Sequence, residues 1–421
     1  MKTVAIAYGS GSIALEVPEA TESIAPNSQA PCVSEDELLE EALDRPLASP
    51  PLQELARGKR NAVILIACRT RRTGSDRYLK QIVRRLVEAG IPEERITVIT
   101  ATGTHDNFRE QDAELLLGRE LVGRVGFEGH DCDTPEKHAC VGTTSRGTEV
   151  WLSKRYLDAD LRIATGRVTY HYFAGFSGGR KAVLPGVSRK TTVRRNHSMA
   201  VLYQPEVRLN PATTLGILDG NPIHEDMLEA ARFVPPDFSL NTVLNTSHQI
   251  THAFGGELET SHRAAVRIVE QLDRVHVESP YDWMILSAGG APYDVNGIQA
   301  IKALIGAYRA VRAGGTIFFF AECPEGIPEW LLQATEVRDP QLLRERIASG
   351  TLILGHNALW IEQIRRHCRI VMVTELSPTT VERLGFQYAK ADEVRGQLSR
   401  LTLESTHGVI AKHGNLLFAT S

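Results

Sequence analysis

No Cys-x-x-Cys pair occurs in this chain, and its six cysteines (32, 68, 132, 140, 323 and 368) are scattered over 421 residues. That spacing supports neither a disulfide framework nor a paired-thiolate zinc or redox motif. An excess of one charge is also missing. Lys and Arg number 47 against 51 Asp and Glu, a net charge of −4, so nothing points to nucleic acid or an acidic membrane as partner. No apolar run approaches the roughly 18 residues that cross a bilayer. Neither end shows a basic, then apolar, then small-residue leader. Internal repeats and low-complexity segments are lacking as well. These absences leave a cytoplasmic globular protein, long enough for two α/β domains.

The chemistry that is present concentrates in one stretch, His171-Tyr-Phe-Ala-Gly-Phe-Ser-Gly-Gly-Arg-Lys181, followed by Leu184-Pro-Gly186 and Asn196-His197. Three reactive side chains bracket a loop containing Gly175, Gly178 and Gly179, and glycine lets backbone N–H groups come close to a phosphate or nucleotide. A Walker-type loop fails at two positions. Arg180 stands where the last glycine should be, and Ala182 where Ser or Thr would hold magnesium.

In chain order, residues 3–7 and 12–16 flank Gly9-Ser-Gly11 as a hairpin, and Ser34-Glu-Asp-Glu37 is a capping box opening a helix to about Leu43. Ala62–Ala67 is an unbroken apolar run, the mark of a strand buried on both faces of a parallel sheet. Leu79, Ile82, Val83, Leu86 and Val87 predict a helix over 76–89, and Ile96–Ala101 the next strand, which completes a βαβ unit. Ligands of such sheets bind past the carboxyl ends of the strands. Cys68-Arg-Thr-Arg-Arg72, Thr102-Gly-Thr-His-Asp106 and, after a strand at 161–165, Tyr170-His171 should therefore share one crevice.

Helices are expected at 221–233 and 260–272 with a strand at 242–245 between them. A boundary near 275 divides an N-terminal domain, 1–275, from a C-terminal α/β domain, 276–421. The second half predicts strands at 283–287, 315–321, 351–354 and 370–373, and helices at 297–312, 340–348, 357–367, 378–384 and 391–400. Its chemistry lies in Gly289-Gly-Ala-Pro-Tyr-Asp-Val-Asn296 and in Gln299 and Lys302, three apart on one helical face, an amide and an ammonium able to hold a carboxylate. His130-Asp-Cys-Asp133 with His138-Ala-Cys140 has the donor types of a structural metal site, although a polar strand end and turn is the plainer reading. His224, His248, His252, His262 and His276 have no comparable company.

Across both halves the chain resembles the nickel-pincer-nucleotide-dependent lactate racemase family. The likeness runs through Thr70-Arg71, Gly103-Thr-His105, His171, Gly175 to Lys181, Leu184-Pro-Gly186, His197, and Gly290-Ala-Pro with Asp294, Asn296, Gln299 and Lys302. It implies two α/β domains with largely parallel sheets and an active-site cleft between them. It also implies a racemase or epimerase of a small 2-hydroxy acid that works by reversible hydride transfer. The cofactor would be a pyridinium-3-thioamide-5-thiocarboxylic acid mononucleotide, covalent on Lys181, holding Ni(II) with His197 as nitrogen ligand and supplied by dedicated biosynthesis proteins. Thr70, Phe176, Ser177, Gly178 and Gly179 would line the cofactor, Phe176 beside its ring and the glycine loop around its phosphate. His105 and His171 would be paired acid and base, while Arg71, Gln299 and Lys302 anchor the substrate carboxylate. Tyr293 and Trp360 would complete the substrate site, Trp360 closing it. An oligomer is compatible with all of this.

Two residues depart from the family's pattern. Cys68 stands where better-known relatives tend to carry an acidic residue able to bind the nucleotide's ribose, and Arg72 where lactate-specific relatives tend to carry proline. The second cation suggests a substrate larger or more acidic than lactate, malate being the simplest. Two alternatives from other classes remain at this point: a zinc hydrolase using His105, His171 and His197 as ligands, and a non-catalytic nucleotide-binding protein.

Overall fold

A computed structural model describes residues 1–26, 30–105, 108–349, 355–403, 407–414 and 416–420. The chain forms two compact units. One comprises Asn27–Met199 with Ala212–Leu272, the other Met1–Pro26, Ala200–Pro211 and Asp273–Ser421. Both are α/β with largely parallel sheets, as the sequence predicts. Among the described residues no helix is long and apolar enough to cross a membrane.

The first unit is built on six strands in the order Ile250–Gly256, Phe238–Leu244, Leu161–Arg167, Ala62–Ile66, Ile96–Thr100, Gly126–Gly129. All pairings are parallel except that of Ile250–Gly256 with its neighbour. Every residue of Ala62–Ile66 and Ile96–Thr100 is buried, which is why the first reads as an unbroken apolar run, while the second also buries Thr97 and Thr100. The helix Ser75–Glu88 lays Tyr78, Leu79, Ile82, Val83 and Leu86 on the sheet. The capping box is formed: Glu37 N–H donates to Ser34 Oγ and Ser34 N–H to the Glu37 carboxylate, starting the helix Glu35–Asp44.

The second unit has six parallel strands in the order Gln387–Tyr388, Arg369–Val373, Val311–Phe320, Tyr281–Ser287, Gly408–Ala411, Glu22–Ile24. The predicted hairpin, Lys2–Tyr8 with Gly11–Val17, is present. Its alternate residues Val4, Ile6, Leu15 and Val17 enter a core with Trp283, Ile285, Phe318 and Phe320. Glu22–Ile24 then pairs beside Gly408–Ala411 as the edge strand. Residues 1–26 therefore belong to this unit and not to an N-terminal domain running 1–275. Period-two alternation marks a strand's buried face but not the sheet it covers. Ala200–Pro211 joins the same unit because Val201 and Val207 pack with Leu343, Ile347, Ala358 and Leu359. The remaining boundary, at Asp273, falls close to the expected one. The strand expected at 351–354 lies outside the described residues.

Candidate active site

In the first unit, Leu161–Arg167, Ala62–Ile66 and Ile96–Thr100 are neighbours running one way, so their carboxyl ends share one edge. Each leads into a stretch that the sequence singles out. After Thr100 the chain turns at Gly103, whose φ is 59° and whose N–H donates to the Gly186 carbonyl at 3.0 Å. Gly186 N–H donates in turn to the Lys181 carbonyl at 3.0 Å. A Cβ on Gly186 would stand 2.0 Å from the Ala182 carbonyl oxygen, so only glycine permits this approach. The turn bearing His105, itself exposed, is thereby fastened to the loop bearing Lys181.

After Ile66, Arg69–Arg71 make a single 3-10 turn. Thr70 is buried; its Oγ1 lies 3.2 Å from the Cys68 thiol and accepts from Arg71 at 3.2 Å. Arg69 faces Asp112 at 3.7 Å, Arg72 is exposed, and half-buried Arg71 lies close enough to Lys181 to act on its charge.

The centre of the site is Phe173. Lys181 Nζ lies 5.5 Å over its ring, and the rings of His171 and His197 meet it edge-on at 4.5 Å and 4.7 Å. Asn221 holds the residue by donating to its carbonyl at 3.0 Å while capping the helix Pro222–Phe233. Burial first, then the charges of Arg180 and Arg71, push the Lys181 ammonium well below the usual lysine range, which favours the free amine. His171 Nδ1 accepts the N–H groups of Phe173 and Ala174 at 3.5 Å and 3.3 Å. Phe173 escaped sequence analysis, although its place two residues after His171 could have flagged it. Phe176, expected beside a cofactor ring, is instead fully buried with its ring 5.0 Å from Tyr170.

The glycine loop, expected to cradle a phosphate through Ser177, Gly178 and Gly179, spends several of its N–H groups within the protein. Phe176, Ser177, Gly179 and Lys181 spend their N–H groups on Ala174, Thr169, Asn241 and Gly178. A Cβ on Gly178 or Gly179 would meet Val168 at 2.7 Å or His262 at 2.9 Å, so these glycines serve packing within the protein. Fully buried Arg180 locks the loop, donating to the Ala174 and Phe176 carbonyls at 2.7 Å and 2.9 Å and lying 2.9 Å from His262 Nε2. Burial, assisted by Arg263, lowers the Arg180 guanidinium to about 9. Arg180 and His262 are structural residues that the sequence could not single out, because both act through contacts remote in the chain.

In the second unit Asn296 caps the helix Gly297–Ala307 by accepting from Gln299 N–H at 3.1 Å, and Lys302 Nζ donates to Gln299 Oε1 at 2.8 Å. The pair forms as its spacing implies. Asp294 is wholly buried and accepts from Gly9 N–H at 2.8 Å, which fastens this turn to the N-terminal hairpin. Tyr293 meets His413 edge-on at 4.6 Å. Trp360 is only 6% exposed, in the helix Gly355–His367, with its ring 6.4 Å from that of Tyr308.

The stretch 130–140 is turn chemistry. The Asp131 carboxylate takes the N–H groups of Asp133 and Thr134 and the Lys137 ammonium, Asp133 pairs with Lys190, and His130 and His138 bond to the Ser188 and Thr134 carbonyls. Among the described residues no three His, Cys, Asp or Glu side chains are grouped to hold one metal ion. Neither this stretch nor the set of His105, His171 and His197 forms such a group among the described residues.

An α/β enzyme is thus defined, with a lysine disposed to be nucleophilic beside imidazoles at the carboxyl edge of a parallel sheet. Family models for the lactate racemase N-terminal and C-terminal domains match residues 8–210 and 277–402. Lactate racemase of Thermoanaerobacterium thermosaccharolyticum is 32% identical over 388 residues, 89% of this chain and 88% of its own. That of Lactiplantibacillus plantarum is 31% identical over 396 residues, 90% and 92% of the two chains. The lactate racemase apoprotein structure from T. thermosaccharolyticum superposes with a TM-score of 0.88 at 28% identity, covering 99% of this chain and 100% of that one. A Thermotoga maritima protein at 18% identity and TM-score 0.71, covering 93% of this chain and 100% of its own, shares the fold. The chain belongs to the lactate racemase family and is an isomerase of the racemase type.

Proposed function

We propose that the protein racemises or epimerises a 2-hydroxy acid in the cytoplasm by reversible hydride transfer, using a nickel-pincer nucleotide joined to Lys181 and ligated by His197. The observation that carries this reading is the single Phe173 ring contacted by Lys181, His171 and His197 together. The side chains present suit such a cofactor. A lysine forms a covalent thioamide only as the free amine, the form its surroundings favour. An imidazole against the same ring is a nitrogen donor of the kind Ni(II) accepts.

When bound, the cofactor supplies a reversible hydride acceptor. The chain's own groups handle the protons and the carboxylate. One of His105 and His171 takes the hydroxyl proton of the substrate, and the other returns a proton when the opposite enantiomer forms. An imidazole pKa of about 6.5 serves both directions. Arg71 grips the substrate carboxylate through two N–H groups.

A second acidic group on the substrate is proposed only on the position of Arg72 beside Arg71 in the sequence. Arg72 is exposed, and it acts with Arg167 and Arg77 on His248, an imidazole held down to about 4 chiefly by burial. Malate should therefore turn over faster than lactate, and a clear preference for lactate would remove this assignment. The cofactor is tested by intact and peptide mass spectrometry of protein from a host with the cofactor-building proteins. An adduct on the Lys181 peptide is expected; active protein without one would refute the reading.

A further inference from the structure

The histidine assigned to nickel follows an asparagine that the reading above leaves without a role. Asn196 and Asp226 are both completely buried, on the neighbouring helices Lys190–Ser198 and Pro222–Phe233. The Asn196 amide spends its two hydrogens on the Ile223 carbonyl at 3.1 Å and on Asp226 Oδ2 at 2.8 Å. Its oxygen is therefore the atom 3.1 Å from His197 Nδ1. An amide oxygen can only accept, so His197 Nδ1 carries a hydrogen, and in the neutral imidazole Nε2 keeps its lone pair.

Asp226 is itself over-determined. Thr144 Oγ1 donates to Oδ1 at 2.6 Å and Thr148 Oγ1 to Oδ2 at 3.0 Å, both from the turn joining His138–Thr143 to Glu149–Ser153. Among the described residues no lysine or arginine forms an ion pair with it. Its carboxyl oxygens accept from two hydroxyl groups and from the Asn196 amide, whose oxygen becomes the stronger acceptor for the imidazole N–H. Outer-shell partners of this kind fix a ligand's tautomer and ring orientation and raise its basicity.

We propose that Asp226 and Asn196 are positioning residues, a relay that holds His197 in the Nδ1–H tautomer so that Nε2 is the nitrogen offered to the metal. The identity of the metal rests on the functional reading above; the tautomer rests on hydrogen bonds alone. Two-bond 1H–15N spectra of 15N-histidine-labelled apoprotein, at a pH above the imidazole range, read the tautomer directly. His197 is assigned by the signal lost in His197→Gln. Wild type is expected to show Nδ1–H. Asn196→Leu and Asp226→Asn are expected to shift His197 towards Nε2–H, whereas Thr144→Val should lower Tm and leave the tautomer unchanged. An Nε2–H His197 in wild type, or an unaltered signal in folded Asn196→Leu, would overturn the relay, and the wild-type measurement needs no variant to fold. In holoprotein, Asn196→Leu should lower nickel affinity on the order of 10–100-fold against a chelator. Equal retention by elemental analysis would also overturn it. Wild-type holoprotein without nickel would refute the functional reading, while the apoprotein spectrum would still decide the relay.

Discussion

Gly103 N–H and the Gly186 carbonyl meet at 3.0 Å, and that bond sets the His105 turn against the Lys181 loop. Gly103 has φ 59°, and a Cβ there would stand 3.1 Å from Pro185 Cβ. Gly103→Ala should reduce stability by about 1–2 kcal/mol, the usual penalty for an L residue in the left-handed region. Racemisation should fall further than that loss implies, because His105 moves with the turn. Denaturant unfolding and turnover, measured on one preparation, separate the two effects.

Arg180 is the loop's internal brace. Arg180→Met would leave the Phe176 carbonyl without its guanidinium donor, at roughly 1–3 kcal/mol for the buried acceptor, while the Ala174 carbonyl would keep only the Phe176 N–H. Thermal melts should show a lower midpoint, and Lys181 should become more open to bulky amine reagents. An unchanged melt would mean that the loop holds its shape without the guanidinium.

Two aromatics three residues apart, Phe173 and Phe176, should respond differently to substitution. Phe173→Leu nearly conserves volume and should lower stability by less than about 1.5 kcal/mol, yet it removes the ring shared by Lys181, His171 and His197. Phe176→Ala should lower stability by about 3–5 kcal/mol, since that ring is wholly buried. Cofactor loading by mass spectrometry and unfolding midpoints together assign each role.

Lys181 makes stability depend on pH with a definite sign. Its folded-state pKa lies below its unfolded value, so between the two the unfolded chain binds more protons and stability rises with pH. Above the ordinary lysine range both states are neutral and the penalty is gone. Apoprotein carrying Lys181→Met should be more stable than wild type near neutrality, with a flatter profile on the alkaline side. Urea midpoints across that range provide the measurement.

The paired-histidine mechanism predicts that His105→Ala and His171→Ala each lower turnover by about 10²–10⁴. Arg71→Lys keeps the charge but loses the two-pronged grip, so its main effect should be a raised KM. Substantial racemisation by either histidine variant would exclude the acid–base pair.

The sequence alone determined those features whose cause is local. Ala62–Ile66 is apolar at every position because both faces are covered, and Ser34 with Glu37 closes its own cap. Gln299 and Lys302 touch because a helix puts third neighbours together. The expected strand ends at Ala67, Ala101 and Thr165 identified one edge of one sheet before any coordinates. Tertiary structure decided the rest. Residues 1–26 join the C-terminal unit through pairing of Glu22–Ile24 with Gly408–Ala411, a choice between sheets that alternation cannot make. Phe173, and not Phe176, became the shared ring, and the loop glycines proved to face Val168 and His262. The roles of Arg180, Asn196 and Asp226 exist only because distant segments bring carbonyls, hydroxyls and amides within hydrogen-bond reach inside a dry interior, where each must find a partner.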